Sequence, residues 1–433
     1  MLLPFRTIRF NAASIADATG EISPGSILVG IDGGIERREG VLRGGAPRVI
    51  AVGGPGEIDA HPAAADAAVI DRPDHVITPP FVNAHCHLDL THIGPRPHDA
   101  AAGFAGFVDV VRKERRTEDA QIAASVGAGI RLSLAGGVLA VGDIAGSVRG
   151  RPSLAPWRTL NGSPLLGVSY LEFFAIGKAA APGRERAAEA LAEARAEGPT
   201  RVAVGLQPHA PNTVGLAGYR WAREQGVPLA THLAETRDER EFIAAGTGPQ
   251  RMLLEQLGLW DDAALAEIGR GASPVAHLAA VLGGASFLAA HVNHASDADI
   301  EIQARTGTTV AYCPRASDYF GAAEVFGPHR YRDMIAAGVP VALGTDSIIN
   351  LPPGTDRLST LDEARYLWRR DGTDPRLLLA MATTAGGRAL GLGEAPFLLG
   401  AMAPVLGLIA VPGGSWREAL DGDAAPELLL ARN

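Results

Sequence analysis

The chain has 433 residues, of which 47% are hydrophobic and 20% charged. That size and composition exclude both a small single domain and a disordered chain, and they leave room for a sizeable core. A formal charge of −9, with no basic run and no Arg–aromatic interleaving, gives no support to binding a nucleic-acid backbone.

The opening MLLPFRTIRF lacks the charged start and long apolar run of a signal peptide. No stretch reaches the ~18 uninterrupted apolar residues of a membrane helix. A cytoplasmic protein with a small-molecule substrate, no membrane contact and no nucleic-acid partner is expected. Residues 1–77 hold short apolar runs separated by Gly, Pro and Asp, such as Ile27 to Ile31, Arg48 to Val52 and Ala68 to Ile70. These read as small β-strands with turns.

After Thr78 the pattern changes, and short apolar runs alternate with longer amphipathic stretches. Eight runs follow in order: FVNAHCH, GVLAVGDIA, LGVSYLEFF, RVAVGLQPH, PLATHLAE, SFLAAHVNH, TTVAYCPR and PVALGTDS. Helices are expected between several of them, over Arg184 to Glu197, Leu358 to Arg369 and Arg376 to Leu390. The long segment from Thr236 to Gly284 could hold substrate-covering elements. The last forty residues return to short apolar runs, Pro396 to Leu399 and Val405 to Val411. The expected architecture is α/β: a (β/α)₈ TIM barrel over 78–394, with a small β-sandwich domain built from 1–77 and 395–433.

Five of the eight runs end in His, Glu or Arg, and Asp143, Glu172 and Asp346 lie within two residues of the ends of the others; in this fold the C-terminal strand ends carry the chemistry. His85-Cys86-His87 is the strongest local signal. On a strand its two imidazoles face one way and Cys86 the other. THLAE adds His232 and Glu235, HVNH adds His291 and His294, and GTDS adds Asp346. Three imidazoles and a carboxylate suit one divalent metal ion, Zn²⁺ first and Fe²⁺ second. No C-x-x-C is present, which excludes the zinc deaminases built on that motif. Cys86 and Cys313 have no base partner and read as structural.

This pattern resembles the amidohydrolase superfamily over nearly the whole chain. The resemblance implies that His85, His87, His232 and Asp346 bind the metal. It implies that His291 contacts the bound water and that Glu235 is an acid next to the reacting centre. Binuclear members bridge their metals with a carboxylated Lys after strand four, but Lys113 and Lys178 are the only lysines and neither is placed there. A mononuclear site is therefore expected. The metal would lower the pKa of a bound water and supply hydroxide. Asp346 and His291 would orient that water and take its proton, while Glu235 protonates a ring nitrogen of the substrate. Related barrels are often dimers or larger, so a homo-oligomer is possible.

The segment PHAPNTV resembles the branch that deaminates adenosine-like compounds, which makes His209 a substrate contact. NAHCHLDLTHIG, VGDIA and YCPRASDYFG are similar to segments of aminodeoxyfutalosine deaminases, enzymes of the futalosine route to menaquinone. Asp89 stands where those usually have Glu, and Ala316-Ser317 where they usually have Thr-His. Arg315 is a candidate for a substrate carboxylate or for an intramolecular salt bridge. Glu172 is a further candidate contact with ribose or base. The alternatives are another amino-heterocycle (methylthioadenosine, S-adenosylhomocysteine, guanine, cytosine or a triazine) and an inactive ligand-binding barrel.

Overall fold

A computed structural model describes residues 2–3, 7–31, 35–38, 41–99, 103–198, 200–393, 398–399 and 405–432. Eight strands form one all-parallel sheet in sequential order. They are β1 (Phe81–Cys86), β2 (Val138–Ala145), β3 (Leu166–Phe173), β4 (Val202–Pro208), β5 (Leu229–Leu233), β6 (Phe287–His291), β7 (Thr309–Tyr312) and β8 (Val341–Leu343). Each coincides with one of the eight apolar runs. Near-continuous burial along these strands is what a parallel sheet covered on both faces requires.

The barrel interior is filled by Val82, Ala84, Ala140, Val168, Tyr170, Ala230, Leu288, Ala311 and Ala342, with Leu390 and Leu406 packed against them. The small side chains leave room for Tyr170, which is fully enclosed. A larger apolar cluster lies outside the strands and includes Trp157, Phe173, Phe287 and Leu361.

The barrel closes just past β8, where Cys86 and Asp346 form a parallel bridge. Thr345 and Asp346 donate their backbone N–H groups to His85 O at 3.1 and 3.0 Å, and His87 N–H donates to Asp346 O at 3.4 Å. Buried Asn83 clamps the same seam. Its Nδ2 donates to Thr345 Oγ1 at 2.8 Å, and its Oδ1 accepts from Thr345 N at 3.0 Å.

A β-bulge lies in β1. Val141 pairs with Asn83 and Asp143 with Cys86, so the register slips by one. Strict alternation therefore does not run through the strand. Ala84 packs in the barrel interior, and His85 still joins the imidazoles at the mouth. Bulges beside active sites commonly re-aim a side chain in this way.

Strands from both chain ends share a second, ten-stranded sheet, with Gly407–Pro412 lying between Ala68–Thr78 and Glu427–Arg432. Ile8, Phe10, Ile27, Val29, Val49, Ile77, Leu408 and Leu430 form its core. Part of the expected Pro396–Leu399 run lies outside the described residues. Helices Ala180–Ala196 and Thr360–Asp371 match two expectations. The expected helix over 376–390 is two helices, Pro375–Ala382 and Thr384–Ala389. The chain breaks at Thr383, and Gly386 then passes so close to β1 that a Cβ would stand 2.9 Å from Val82 Cγ1. Between Thr236 and Gly284, the helices Arg237–Ala245 and Gly248–Gln256 and the loop after them gather a small core around Phe242, Ile243, Leu254 and Leu265, while Pro274–Leu282 packs into the main core.

Asn83→Ala removes both hydrogen bonds of the seam clamp and leaves a void there, so a loss of roughly 2–3 kcal/mol is expected in denaturant unfolding. Unchanged stability would show that the barrel closes without the clamp.

Candidate metal centre and substrate pocket

The barrel mouth brings together side chains that are far apart in the chain. His85 and His87 leave β1, His232 sits on β5, His291 ends β6, and Asp346 follows β8. The ring of His85 lies 5.0 Å from those of His87 and His232 and 5.4 Å from that of His291. Asp346 Oδ1 is 3.6 Å from His85 Nε2 and 3.4 Å from His87 Nε2. Ligand atoms of His85, His87 and Asp346 fall within 4.8 Å of one another, as do those of His85, His232 and His291.

These groups fit a metal for three reasons. His85 Nε2, the nitrogen that faces Asp346, is buried without a hydrogen-bond partner. Buried polar atoms are seldom left so, and an ion is one of the few reasons. Burial also pushes the imidazole pKa values down, well below the usual range for His87 and His232 and to about 3 for His291. The rings are thus neutral, as metal ligation requires. Finally, burial opposes ionisation of Asp346, and what holds its carboxyl low is the facing His85 and positive charge at the place of His291 and His87, which a metal would supply once those rings are neutral.

The imidazole of His232 is fixed from behind. Its Nδ1 lies 3.2 Å from His209 O and 3.2 Å from the Gln207 side-chain amide. A carbonyl can only accept, so Nδ1 carries the proton and Nε2 is free for a metal. The Gln207 atom at this distance is Nε2, and Oε1 has no partner; exchanging the two amide ends would let Oε1 accept the same Nδ1 proton. A third close group, Glu172–His209–His232, therefore does not make a second metal seat, because His232 has no nitrogen left for it.

Backbone strain gathers at this mouth. Five described non-glycine residues have positive φ, and three of them are Ala234 (51°), His291 (72°) and Asp346 (54°). Such residues persist only where their surroundings hold them. Buried Glu239 does so for Ala234, accepting from its N–H at 2.9 Å and from Glu235 N–H at 2.7 Å. His329 Nε2 donates to His291 O at 2.9 Å. Asn293 Nδ2 donates to Glu235 O at 3.1 Å and is itself held by Ser317 Oγ at 2.6 Å.

Glu235 Oε1 stands 3.5 Å from His291 Nε2. Burial first, then the charges of Asp346 and Glu239, push its carboxyl well above the usual range. Glu172 Oε1 is 3.9 Å from His209 Nε2, whose ring is anchored through Nδ1 to Thr213 Oγ1 at 2.8 Å. Asp89 is buried and lies 3.1 Å from Arg115 Nη1.

Two expected residues lie elsewhere. The Arg315 Nε donates to buried Glu363 at 2.6 Å, and its backbone N–H donates to the same carboxylate at 3.1 Å. The structure shows the intramolecular salt bridge through Nε, while Arg315 Nη2 is buried without a hydrogen-bond partner. His294 packs against Phe326 with ring centroids 4.6 Å apart and joins no ligand group among the described residues. Cys86 and Cys313 are both buried, and burial pushes their thiols up, which fits an inert structural role.

Sequence reasoning missed Gln207, Glu239, Asn293, His329 and Arg115. Glu239 had a signal, since Thr236-x-x-Glu239 has the form of a helix-capping box. The Thr236 hydroxyl does accept from Glu239 N–H, at 3.1 Å.

Residues 76–395 match the amidohydrolase family. The chain belongs to that family. As an amidohydrolase it is a hydrolase acting on carbon–nitrogen bonds. Aminodeoxyfutalosine deaminase of Deinococcus radiodurans is 33% identical over 396 residues, 84% of each chain. A 5-methylthioadenosine/S-adenosylhomocysteine deaminase of Natronomonas pharaonis is 28% identical over 78% of this chain and 74% of its own. Among solved structures, Helicobacter pylori aminofutalosine deaminase superposes with a TM-score of 0.72 at 16% identity, covering 97% of both chains. A zinc-bound adenosine deaminase from Xanthomonas campestris gives 0.65 at 19% identity, over 94% of this chain and 84% of that one. No helix among the described residues is long and apolar enough to cross a membrane.

Removing a partner from behind a metal ligand typically lowers metal affinity ~10- to 100-fold. Gln207→Ala should fall at the lower end, because His209 O still orients His232. Chelator competition measures this, and unchanged affinity would show that Gln207 is idle. His85→Ala should lose stoichiometric metal altogether in elemental analysis.

Proposed function

We propose that the protein is a hydrolytic deaminase of an adenine-nucleoside-like compound, with aminodeoxyfutalosine as its substrate and one Zn²⁺ as its metal. The observation that carries this reading is the place of Glu235, whose Oε1 stands 3.5 Å from His291 Nε2 at the edge of the candidate ligand cluster, with burial, Asp346 and Glu239 pushing its carboxyl above the usual range. Pairs of acids driven apart in this way mark a proton donor and a proton acceptor. His85, His87, His232 and Asp346 would hold the metal, which when bound lowers the pKa of a water toward neutrality.

The residues then divide the work. Glu235 gives its proton to a ring nitrogen of the substrate, which makes the adjacent amino-bearing carbon electrophilic. Asp346 accepts a proton from the attacking water, and His291 helps to orient it. The water oxygen bonds to that carbon. Asp346 passes that proton to the amino group, the carbon–nitrogen bond breaks and ammonia leaves, while the remaining hydroxyl proton returns to Glu235 as the carbonyl forms. His209 faces the base from β4, and Asp89 and Glu172 are set to accept from sugar hydroxyls.

Two findings support the finer substrate. The Deinococcus relative carries that name, and NAHCHLDLTHIG and YCPRASDYFG resemble the corresponding segments of such enzymes. Methylthioadenosine and S-adenosylhomocysteine are the second reading, favoured by the Natronomonas relative.

The test is ammonia release by zinc-loaded protein from aminodeoxyfutalosine, adenosine, methylthioadenosine, S-adenosylhomocysteine, guanine and cytosine. Fast turnover of aminodeoxyfutalosine is expected, with slower or no turnover of the others. Activity confined to another nucleoside keeps deamination and discards this substrate, and silence across the panel discards deamination. Glu235→Gln should lower kcat by ~10²–10⁴-fold with the metal retained. A kcat within about threefold of the original would remove Glu235 from the chemistry.

A further inference from the structure

Arg115 closes the helix Gly103–Glu114 and has no assigned role. Its side chain is only 16% exposed and reaches Asp89, which is 5% exposed, on the 3-10 turn Leu88–Ile93 after β1. The approach is one-sided. Arg115 Nη1 stands 3.1 Å from Asp89 Oδ2, while Asp89 Oδ1 is buried with no hydrogen-bond partner. One carboxylate oxygen is thus paired with a cation by charge, without a hydrogen bond at Nη1, and the other is a buried acceptor with no partner. A buried carboxylate needs a charge partner, and a vacant acceptor there favours an outside donor.

Space for the guanidinium is provided by Gly146, the residue after β2. A Cβ at that position would stand 1.5 Å from Arg115 Nη1 and 2.6 Å from Asp89 Oδ2. The nearest obstacle is the far end of a flexible side chain, so a methyl group at 146 would displace Arg115 first and also press on Asp89 Oδ2, which makes Arg115→Met the cleaner variant. The same charge also acts on Glu172 and His209 across the pocket.

We infer that Arg115 is a positioning residue for sugar recognition: it holds Asp89 through Oδ2, leaves Oδ1 to accept from a hydroxyl of a ribose, and depends on Gly146 for its place. The inference rests on the nucleoside reading above. It also gives the shorter Asp89 a means of being fixed without filling its free oxygen. A hydrogen bond to a charged acceptor is lost when the hydroxyl is absent, which corresponds to roughly tenfold or more in affinity.

The experiment is calorimetric binding of inosine and 2′,3′-dideoxyinosine, neither of which carries the reacting amino group, to the zinc-loaded enzyme. The original protein should bind inosine about tenfold or more tightly over the dideoxy compound. Arg115→Met and Gly146→Ala should each shrink that preference to about twofold, with metal content and Tm unchanged, and Arg115→Lys should restore part of it. In turnover of a ribonucleoside, KM should rise more than kcat falls. A preference that survives both Arg115→Met and Gly146→Ala overturns the inference and leaves the deaminase reading intact. So does an original protein that binds both compounds equally but still releases ammonia from a nucleoside. Failure to bind either compound, with no ammonia from any nucleoside, overturns the inference together with the reading beneath it.

Discussion

The structure depends on one seam. His85 O accepts the backbone N–H groups of Thr345 and Asp346, and His87 N–H donates back to Asp346 O. The bonds that close the barrel are made by the same residues whose side chains form the metal centre. Closure and assembly of the site are therefore a single event. Asp346 takes a positive φ at this point, a cost of about 1–3 kcal/mol that the closing bonds offset. Its carboxylate has no freedom to miss the two imidazoles.

A buried cluster of imidazoles and carboxylates is expensive unless each member is oriented and balanced. The chain meets that demand with side chains that never touch the metal. Gln207 and His209 O fix His232, Glu239 gathers the backbone around Glu235, and Asn293 and Ser317 brace the same turn from strand ends six and seven. Gln207 lies on β4, while Glu239 and Ser317 lie on the helices Arg237–Ala245 and Pro314–Tyr319 that follow β5 and β7, so the support comes from the strands and from the first turns after them. That is the condition for a site that reorganises little during reaction.

The barrel was legible because each strand is a short apolar run ending in a polar group, and eight such runs in order admit few architectures. The residues that cluster at the mouth were legible for the same reason, since a strand end is where a side chain is both anchored and exposed to the mouth. What could not be read was pairing across distance. Arg315 sits at a strand end like the true site residues, and nothing in its surroundings announces Glu363 as its partner, 48 positions later. Arg115 gave the opposite error, because it ends a helix with no distinguishing pattern. The break at Thr383 was hidden too, since Arg376 to Leu390 keeps helical composition throughout and the close passage of Gly386 over Val82 exists only in the folded barrel.

The bulge in β1 has a bearing on how such a site could arise or be copied. A pleated strand assigns its side chains by counting, odd to one face and even to the other. Ala84 and His85 are consecutive, yet one fills the interior and the other faces the mouth. The extra residue acts as a change of parity, separating the part of the strand that obeys packing from the part that obeys chemistry. A designer who regularised this strand would have to give up either the interior methyl or the paired imidazoles. Transplanting His-x-His onto a straight barrel strand would bring the motif without the offset that lets both demands be met in three residues.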